Sequence, residues 1–85
     1  MCWQVKVRAK VQKSLAGFPK ADAARIVAAF FEIRENPIAG DIQKMDGERN
    51  VWRRRVGNYR IFFELYLEAR LVYIYRIERR TSSTY

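Results

Sequence analysis

Arginine is the residue type that points most clearly to chemistry in this sequence. Residues 49–85 carry nine basic groups, all of them arginine, against three acidic groups, whereas residues 1–48 carry eight basic and six acidic groups. The whole chain has a formal net charge of +8. Guanidinium groups bind phosphate in a bidentate manner and stack on unpaired bases, as aromatic rings also do. A block of arginines among aromatic residues therefore indicates a polyanion partner such as RNA, or an acidic protein partner.

Several other chemistries lack the residues that they need. The sequence contains no histidine, the commonest general base and zinc ligand, and its one cysteine, Cys2, cannot form a disulfide within the chain. No spacing of metal ligands is present, so we expect no metal and no cofactor. The opening residues show no secretory segment, and no apolar run is long enough to span a bilayer. We expect a soluble, cytoplasmic protein without a membrane partner.

The first half of the chain predicts one strand and two helices. Residues 3–8 alternate apolar and polar side chains, which is typical of a half-buried strand. Apolar residues four positions apart predict a helix over 9–16 that ends at Gly17. A second helix is expected to begin near Pro19 and to end at Asn36, because the residue before a proline avoids the α region. The apolar stripe of this helix, predicted to face the core, consists of Ala23, Ile26, Val27, Phe30 and Ile33.

From residue 42 onward the apolar spacing changes to that of strands. We expect a short edge strand over 42–45, a turn at Asp46-Gly47, and strands over 51–56, 59–67 and 71–79. Gly57-Asn58 predicts a two-residue hairpin turn. The last strand is apolar on both faces and is expected to be central. The order β-α-α-β(3–4) predicts a single α+β domain over residues 1–85, with two helices packed on one face of a mostly antiparallel sheet.

Alternation along the strands predicts what each face of the sheet carries. Successive side chains of a strand point to opposite faces, so Arg60 and the other even-numbered residues of 59–67 point away from the odd-numbered ones. Arg53 and Arg55 share a face, and a hairpin register can place them beside Arg60 with aromatic rings between them. The opposite face would pack on the helices. The core residues predicted there are Ile26, Phe30, Trp52, Ile61 and Phe63.

Three segments make the sequence recognisable: NPIAGDIQKMDG at 36–47, WRRRVGNYR at 52–60 and IERRTSSTY at 77–85. Together with the order of elements, they resemble the core pattern of the RelE/ParE toxin superfamily, and in particular its RelE-like branch. That branch cuts mRNA in the ribosomal A site by attack of a ribose 2′-OH on the adjacent phosphate. The resemblance implies the toxin of a type II toxin–antitoxin system, a metal-independent endoribonuclease that inhibits translation. Its implied partners are a cognate antitoxin, the ribosome and mRNA.

The resemblance also implies roles for individual residues. Arg60 would bind the scissile phosphate, Arg80 would act as an acid or stabilise charge, and Tyr85 would orient the nucleotide or stack on it. Arg55 completes the implied catalytic set. The remaining candidates for binding RNA or phosphate are Arg53, Arg54 and Arg79.

This sequence departs from the family pattern in ways that affect the chemistry. Because arginine stays protonated at every physiological pH, Arg53 and Arg55 are expected to act electrostatically, and no general base is obvious. Glu64 or Glu78 could accept a proton, although a glutamate on an arginine-rich sheet is more often an ion-pair partner. Arg54 stands at a position that is usually apolar, so its side chain is expected to snorkel to the sheet edge.

Two other functions stay open at this stage. One is a ParE-like toxin that binds DNA gyrase without cutting nucleic acid, and the other is a nucleic-acid-binding domain with no toxin role. The missing general base favours the gyrase alternative, or a toxin that has lost its activity, whereas Arg80, Tyr85 and the hairpin arginines favour the nuclease. For Arg60, the alternative to phosphate binding is an ion pair with Glu64.

Overall fold

The computed structural model describes residues 2–45, 47 and 50–79. Within these residues, two helices and five strands follow one another in the order β-α-α-β-β-β-β. The α+β class predicted from the sequence is therefore confirmed. The elements are β1 (Gln4–Val7), α1 (Ala9–Ala16), α2 (Lys20–Glu35), β2 (Ile42–Lys44), β3 (Val51–Val56), β4 (Tyr59–Tyr66) and β5 (Leu71–Arg79).

The five strands form one sheet in the order β1-β5-β4-β3-β2. The chain from β2 to β5 runs back and forth through antiparallel pairs. β1 pairs with β5 in parallel. The two helices lie between β1 and β2 in the sequence, and the chain enters β2 in the direction opposite to that of β1. β5 thus has a neighbour on each side, which agrees with its apolar composition and its expected interior position.

Local sequence signals account for the helix ends. α1 ends at Gly17 as expected, but this glycine has a φ of −93° and does not use the left-handed region. α2 follows Pro19 and carries Asp22 in its first turn, where a carboxylate stabilises the positive end of the helix dipole. Asn36 ends α2 in an extended conformation (φ −153°, ψ 99°), as its position before a proline requires.

The core lies between the helices and the facing side of the sheet. Ile26, Ile61 and Phe63 are fully buried there as predicted, and Trp52 and Phe30 pack against them while remaining partly exposed. The predicted stripe of α2 was partly wrong, because Val27 is 40% exposed. The face of α2 that packs on the sheet runs through Ile26, Ala29 and Ile33.

The β3–β4 connection is the two-residue turn expected at Gly57-Asn58. Val56 pairs directly with Tyr59, so only these two residues lie outside the ladder. Gly57 has a φ of +57°, whereas Asn58 does not adopt a positive φ, which is the pattern of a type II′ turn. This tight turn fixes the register of the hairpin, and with it the face on which each hairpin arginine lies.

Candidate nucleic-acid interface

The sheet face that points away from the helices carries four arginines around one aromatic ring. In one row across the sheet, Arg53 of β3 pairs with Phe62 of β4, which pairs with Arg76 of β5. In the next row, Arg55 pairs with Arg60. We call the surface formed by these five residues the arginine face. Its composition, guanidinium groups beside aromatic carbon, is suited to phosphates and unpaired bases.

A β-bulge in β5 brings Arg76 to the arginine face. The β4–β5 register shifts by one residue, so that Phe62 pairs with Arg76 while Phe63 pairs with Ile74. Tyr75 is the extra residue. Strict alternation would have left Arg76 on the helix side together with Ile74, and sequence analysis therefore did not single it out. Bulges of this kind re-aim side chains, and no local sequence signal marked this one.

Phe62 supports the arginines rather than offering its own ring to a base. The ring is only 8% exposed, although it lies on the face away from the helices. The guanidinium of Arg76 lies 5.2 Å from the centroid of the ring, within the range of a cation–π interaction. The flat surface that a base would meet at this position is therefore a guanidinium plane.

Arg60 differs from the other three arginines of this face in having no hydrogen-bond or ion-pair partner among the described residues. Arg53 donates to the side-chain amide of Gln43. Arg55 pairs with Asp41, with 3.0 Å between Nε and Oδ2, and Arg76 pairs with Glu78. Arg60 is thus the guanidinium of the arginine face that can bind an incoming anion without first breaking a contact with a described residue.

The alternative ion pair between Arg60 and Glu64 is not formed. Glu64 accepts a hydrogen bond from the hydroxyl of Tyr66 at 2.6 Å. This hydrogen bond raises the pKa of Tyr66, because it stabilises the protonated phenol. Glu78 lies directly opposite Arg60 in the register, but its carboxylate is paired with Arg76. Both carboxylates that sequence analysis considered as bases are therefore engaged with neighbours.

Arg54 lies on the opposite side of the sheet from the arginine face. Its guanidinium pairs with Glu32 of α2 and is nearly enclosed, with a side-chain exposure of 10%. A Cβ built on Gly40 would lie 3.0 Å from Cζ of Arg54, so the loop after α2 packs tightly on the guanidinium. The expectation that Arg54 snorkels to the sheet edge is wrong. Its position joins the sheet to α2 and does not bring it to the other phosphate-binding candidates.

Arg79 lies at the end of β5, beside the β3–β4 turn. Its guanidinium is 6.0 Å from the ring centroid of Tyr59, the residue with which it pairs across the strands. Tyr59 is buried, and its hydroxyl donates to Asp22 of α2 at 2.7 Å, which raises its pKa. Arg80 and Tyr85 lie outside the described residues, so their predicted roles stay predictions. Arg79 is therefore the last residue of the candidate interface that the structure describes.

A second distinct surface is an apolar groove of about 590 Å³ between α2 and β1. Trp3 and Val5 line one side, and Phe30, Val27 and Phe31 line the other. Phe31 is 61% exposed. Because β1 is an edge strand, the groove lies beside backbone groups that have no partner strand on that side.

Other kinds of site are not found in the described part of the chain. Residues 2–45, 47 and 50–79 include no group of three His, Cys, Asp or Glu side chains that could hold a metal ion. Within the same residues, neither helix is long and apolar enough to cross a membrane.

The fold and the arginine face define a class: a small α+β domain with an arginine-rich face on the side of the sheet away from the helices. A family model described as "ParE toxin of type II toxin-antitoxin system, parDE" matches residues 5–83. The chain therefore belongs to this family, within the RelE/ParE superfamily. It is a toxin of the type II toxin–antitoxin class, as the three sequence segments had indicated.

Individual relatives agree with this assignment. A curated relative, the "Putative toxin RelE1" of Methanocaldococcus jannaschii, is 26% identical over 83 residues, covering 94% of this chain and 92% of the relative. The archaeal RelE–RelB complex from Pyrococcus horikoshii OT3 superposes with a TM-score of 0.86 at 24% identity, covering 98% of this chain and 100% of that chain. The RelB–RelE complex from Methanococcus jannaschii gives a TM-score of 0.73 at 28% identity, covering 88% and 90%. The predicted fold is thus confirmed over nearly the whole chain.

Proposed function

We propose that this protein is a ribosome-dependent mRNA endoribonuclease that inhibits translation in the cytoplasm. The observation that carries the proposal is the guanidinium of Arg60, which has no hydrogen-bond or ion-pair partner among the described residues and lies beside Arg55 on the arginine face. Like charges that pair directly across two strands destabilise a sheet. Asp41 offsets the charge of Arg55, whereas Arg60 has no ion-pair partner among the described residues, so a phosphate bound here would offset the charge that remains.

The proposed reaction forms a bond between the ribose 2′-oxygen and phosphorus and breaks the bond from phosphorus to the 5′-oxygen. One proton leaves the 2′-OH for solvent water, and one is delivered to the 5′-oxygen. Arg60 binds the scissile phosphate, and Arg53 and Arg55 add positive charge that stabilises the phosphorane. Arg80 would protonate or stabilise the leaving oxygen, and Tyr85 would orient the nucleotide. Glu64 is hydrogen-bonded to Tyr66, and Glu78 is ion-paired with Arg76. In-line placement of the reacting atoms therefore supplies much of the proposed rate enhancement.

The same proposal includes a cognate antitoxin. The solved RelE chains of Pyrococcus horikoshii and Methanococcus jannaschii are in complexes with RelB. Among the described residues, the arginine face is rich in basic side chains, and the groove beside α2 is apolar. Surfaces of these two kinds are favourable sites for binding a protein partner. An acidic segment fits the first, and an apolar helix or strand fits the second, next to the exposed Val27 and Phe31.

Substitution of Arg60 and Arg80 tests the function. Arg60→Ala and Arg80→Ala should remain folded and should still bind the antitoxin, but they should no longer arrest growth or truncate ribosome-bound mRNA. Losing one donor to a developing anion typically lowers the rate by about 10²–10³-fold. Lys13→Ala removes the same charge from an exposed position of α1 and should leave toxicity unchanged. Thermal unfolding of each variant checks the fold.

The main alternative is a toxin that binds DNA gyrase, and it is favoured by the ParE description of the matching family model. The two functions differ in what appears after induction of the wild-type chain. Truncated mRNA without DNA damage supports the nuclease. Gyrase-linked DNA damage, together with folded Arg60→Ala and Arg80→Ala variants that stay fully toxic, would replace the nuclease by the gyrase-binding function.

A further inference from the structure

Two arginines lie on the helix side of the β3–β4 turn, across the sheet from Arg55 and Arg60. The first is Arg25, an exposed residue of α2. A Cβ built on Gly57 would be 2.8 Å from Nη2 and 3.2 Å from Cζ of Arg25. The guanidinium therefore occupies the space that a side chain at position 57 would fill. The positive φ of Gly57 favours glycine at this position, and the Arg25 guanidinium lies close beside it.

The second is Arg79, whose guanidinium contacts an aromatic ring. The guanidinium lies over the ring of Tyr59. That ring packs on Phe18, with 4.9 Å between the centroids, and its hydroxyl is bound to Asp22. Arg79 is exposed, and its contact with this buried ring leaves the guanidinium accessible to a ligand.

The turn is consequently flanked by positive charge on both sides. Within the described residues, Arg25 and Arg79 make no ion pair, and the nearby Asp22 carboxylate accepts the hydroxyl of Tyr59. On the other side, Arg55 and Arg60 are cross-strand neighbours, and Arg55 is ion-paired with Asp41. The turn between them is only two residues long, so that a linear anion can pass from one pair of arginines to the other around the tip of the hairpin.

We propose that RNA bound on the arginine face continues around the Gly57-Asn58 turn, where Arg25 and Arg79 bind its phosphates on the helix side. This inference rests on the proposed function and deepens it by assigning the path of the RNA strand. Arg60 holds the reacting phosphate, and Arg25 and Arg79 hold phosphates further along the strand. The toxin then recognises a longer stretch of single-stranded RNA than its sheet face alone would cover.

Binding of oligonucleotides of two lengths tests this path. The probes are fluorescent, fully 2′-O-methylated RNAs of four and twelve nucleotides, which cannot be cleaved by 2′-OH attack. Affinity is measured by anisotropy at several salt concentrations for the wild type, the Arg25→Gln/Arg79→Gln variant and the Arg60→Gln variant. A Lys10→Gln/Lys13→Gln variant of α1 loses the same charge away from the turn and is the matched control. An Arg25→Lys/Arg79→Lys variant keeps the charge.

The expected result is a loss confined to the long probe. Two lost phosphate contacts lower the salt-dependence slope by about 1.4, which corresponds to roughly 25-fold weaker binding at 0.1 M salt. The lysine variant should recover most of this loss. The four-nucleotide probe should bind the Arg25→Gln/Arg79→Gln variant as it binds the α1 control, whereas Arg60→Gln should weaken both probes.

Three results would overturn the proposed path. The first is a twelve-nucleotide probe that binds the Arg25→Gln/Arg79→Gln variant like the α1 control. The second is an equal loss for both probes, which assigns the effect to overall charge. The third is an Arg25→Gln/Arg79→Gln variant that binds RNA as the wild type does but binds the antitoxin more weakly. Arg25 and Arg79 would then bind an acidic protein segment rather than RNA. In each case sensitivity to Arg60→Gln would leave the proposed function standing. If Arg60→Gln affected neither probe, the proposed function itself would fail.

Discussion

The buried arginine of β3 offers a stability test in which two substitutions of one ion pair are expected to differ in sign. Arg54 has Glu32 as its partner, and its Nε and Nη1 are buried without a hydrogen-bond acceptor among the described residues. Each buried donor left without a partner costs about 1–3 kcal/mol. Arg54→Met keeps an unbranched side chain under Gly40 and removes both donors, but it is shorter and lacks the guanidinium. The Glu32 carboxylate that it leaves behind is 62% exposed and stays hydrated, so we expect the substitution to be neutral or to stabilise the fold by up to about 1–3 kcal/mol.

Removing the other partner should have the opposite effect. Glu32→Gln leaves the buried guanidinium beside a neutral group. Breaking a pair of two buried charges costs about 3–5 kcal/mol, but the Glu32 side chain is 62% exposed, so we expect a smaller loss of about 1–2 kcal/mol. In the Arg54→Met background the same substitution should cost almost nothing, because no buried charge remains to be neutralised.

Urea unfolding followed by far-UV circular dichroism provides the free energies of the wild type, the two single variants and the double variant. Comparable m-values would show that the substitutions change stability rather than the compactness of either state. The reasoning would be refuted if Arg54→Met lost more than about 2 kcal/mol. It would also be refuted if Glu32→Gln cost the same in both backgrounds, since the two residues would then be energetically independent.

Two further substitutions address the core and the support of the hairpin tip. Phe63→Ala should lower the free energy of unfolding by about 3–5 kcal/mol, because the ring is fully buried, whereas Phe31→Ala at an exposed position should change it by less than about 0.5 kcal/mol in the same urea assay. Equal effects of the two would contradict the assigned core. Hydrogen bonding to Asp22 raises the pKa of Tyr59, so this interaction contributes fully below the unfolded tyrosine pKa of about 10 and is lost as pH rises through the folded value. Stability measured from pH 8 to 11 should therefore fall more steeply for the wild type than for Tyr59→Phe, and parallel curves would exclude the linkage.

Elements defined by local spacing were well predicted from the sequence. The helix over 9–16 and the strand over 51–56 have the bounds observed in the structure. The face of α2 was less well predicted, because Ala29 contributes little hydrophobicity and the larger Val27 drew the predicted stripe toward solvent. The parallel pairing of β1 with β5 joins Gln4 to Leu71, and contacts at such a separation leave no local pattern.

In the candidate site, too, features set by local spacing were predicted, whereas features set by contacts between distant residues were not. Alternation correctly placed Arg53, Arg55 and Arg60 on one face, since that property depends only on the hairpin register. Arg54 has its partner 22 residues away on a helix, so its structural role could not be recognised from its neighbours in sequence. Arg76 was missed because a bulge changed its face, and Arg25 was missed because only the packing of α2 brings it to the turn.

The parallel pairing of β1 with β5 has a consequence for the nascent chain. β1 is made first, but its partner strand is the last to emerge, and the arginine face needs β5 as well as β3 and β4. At a synthesis rate of roughly 5–20 residues per second, β1 waits several seconds for its partner. Pairing across such a separation also slows folding itself. The order of synthesis therefore keeps the arginine face unassembled until β5, the last of its three strands, has been made.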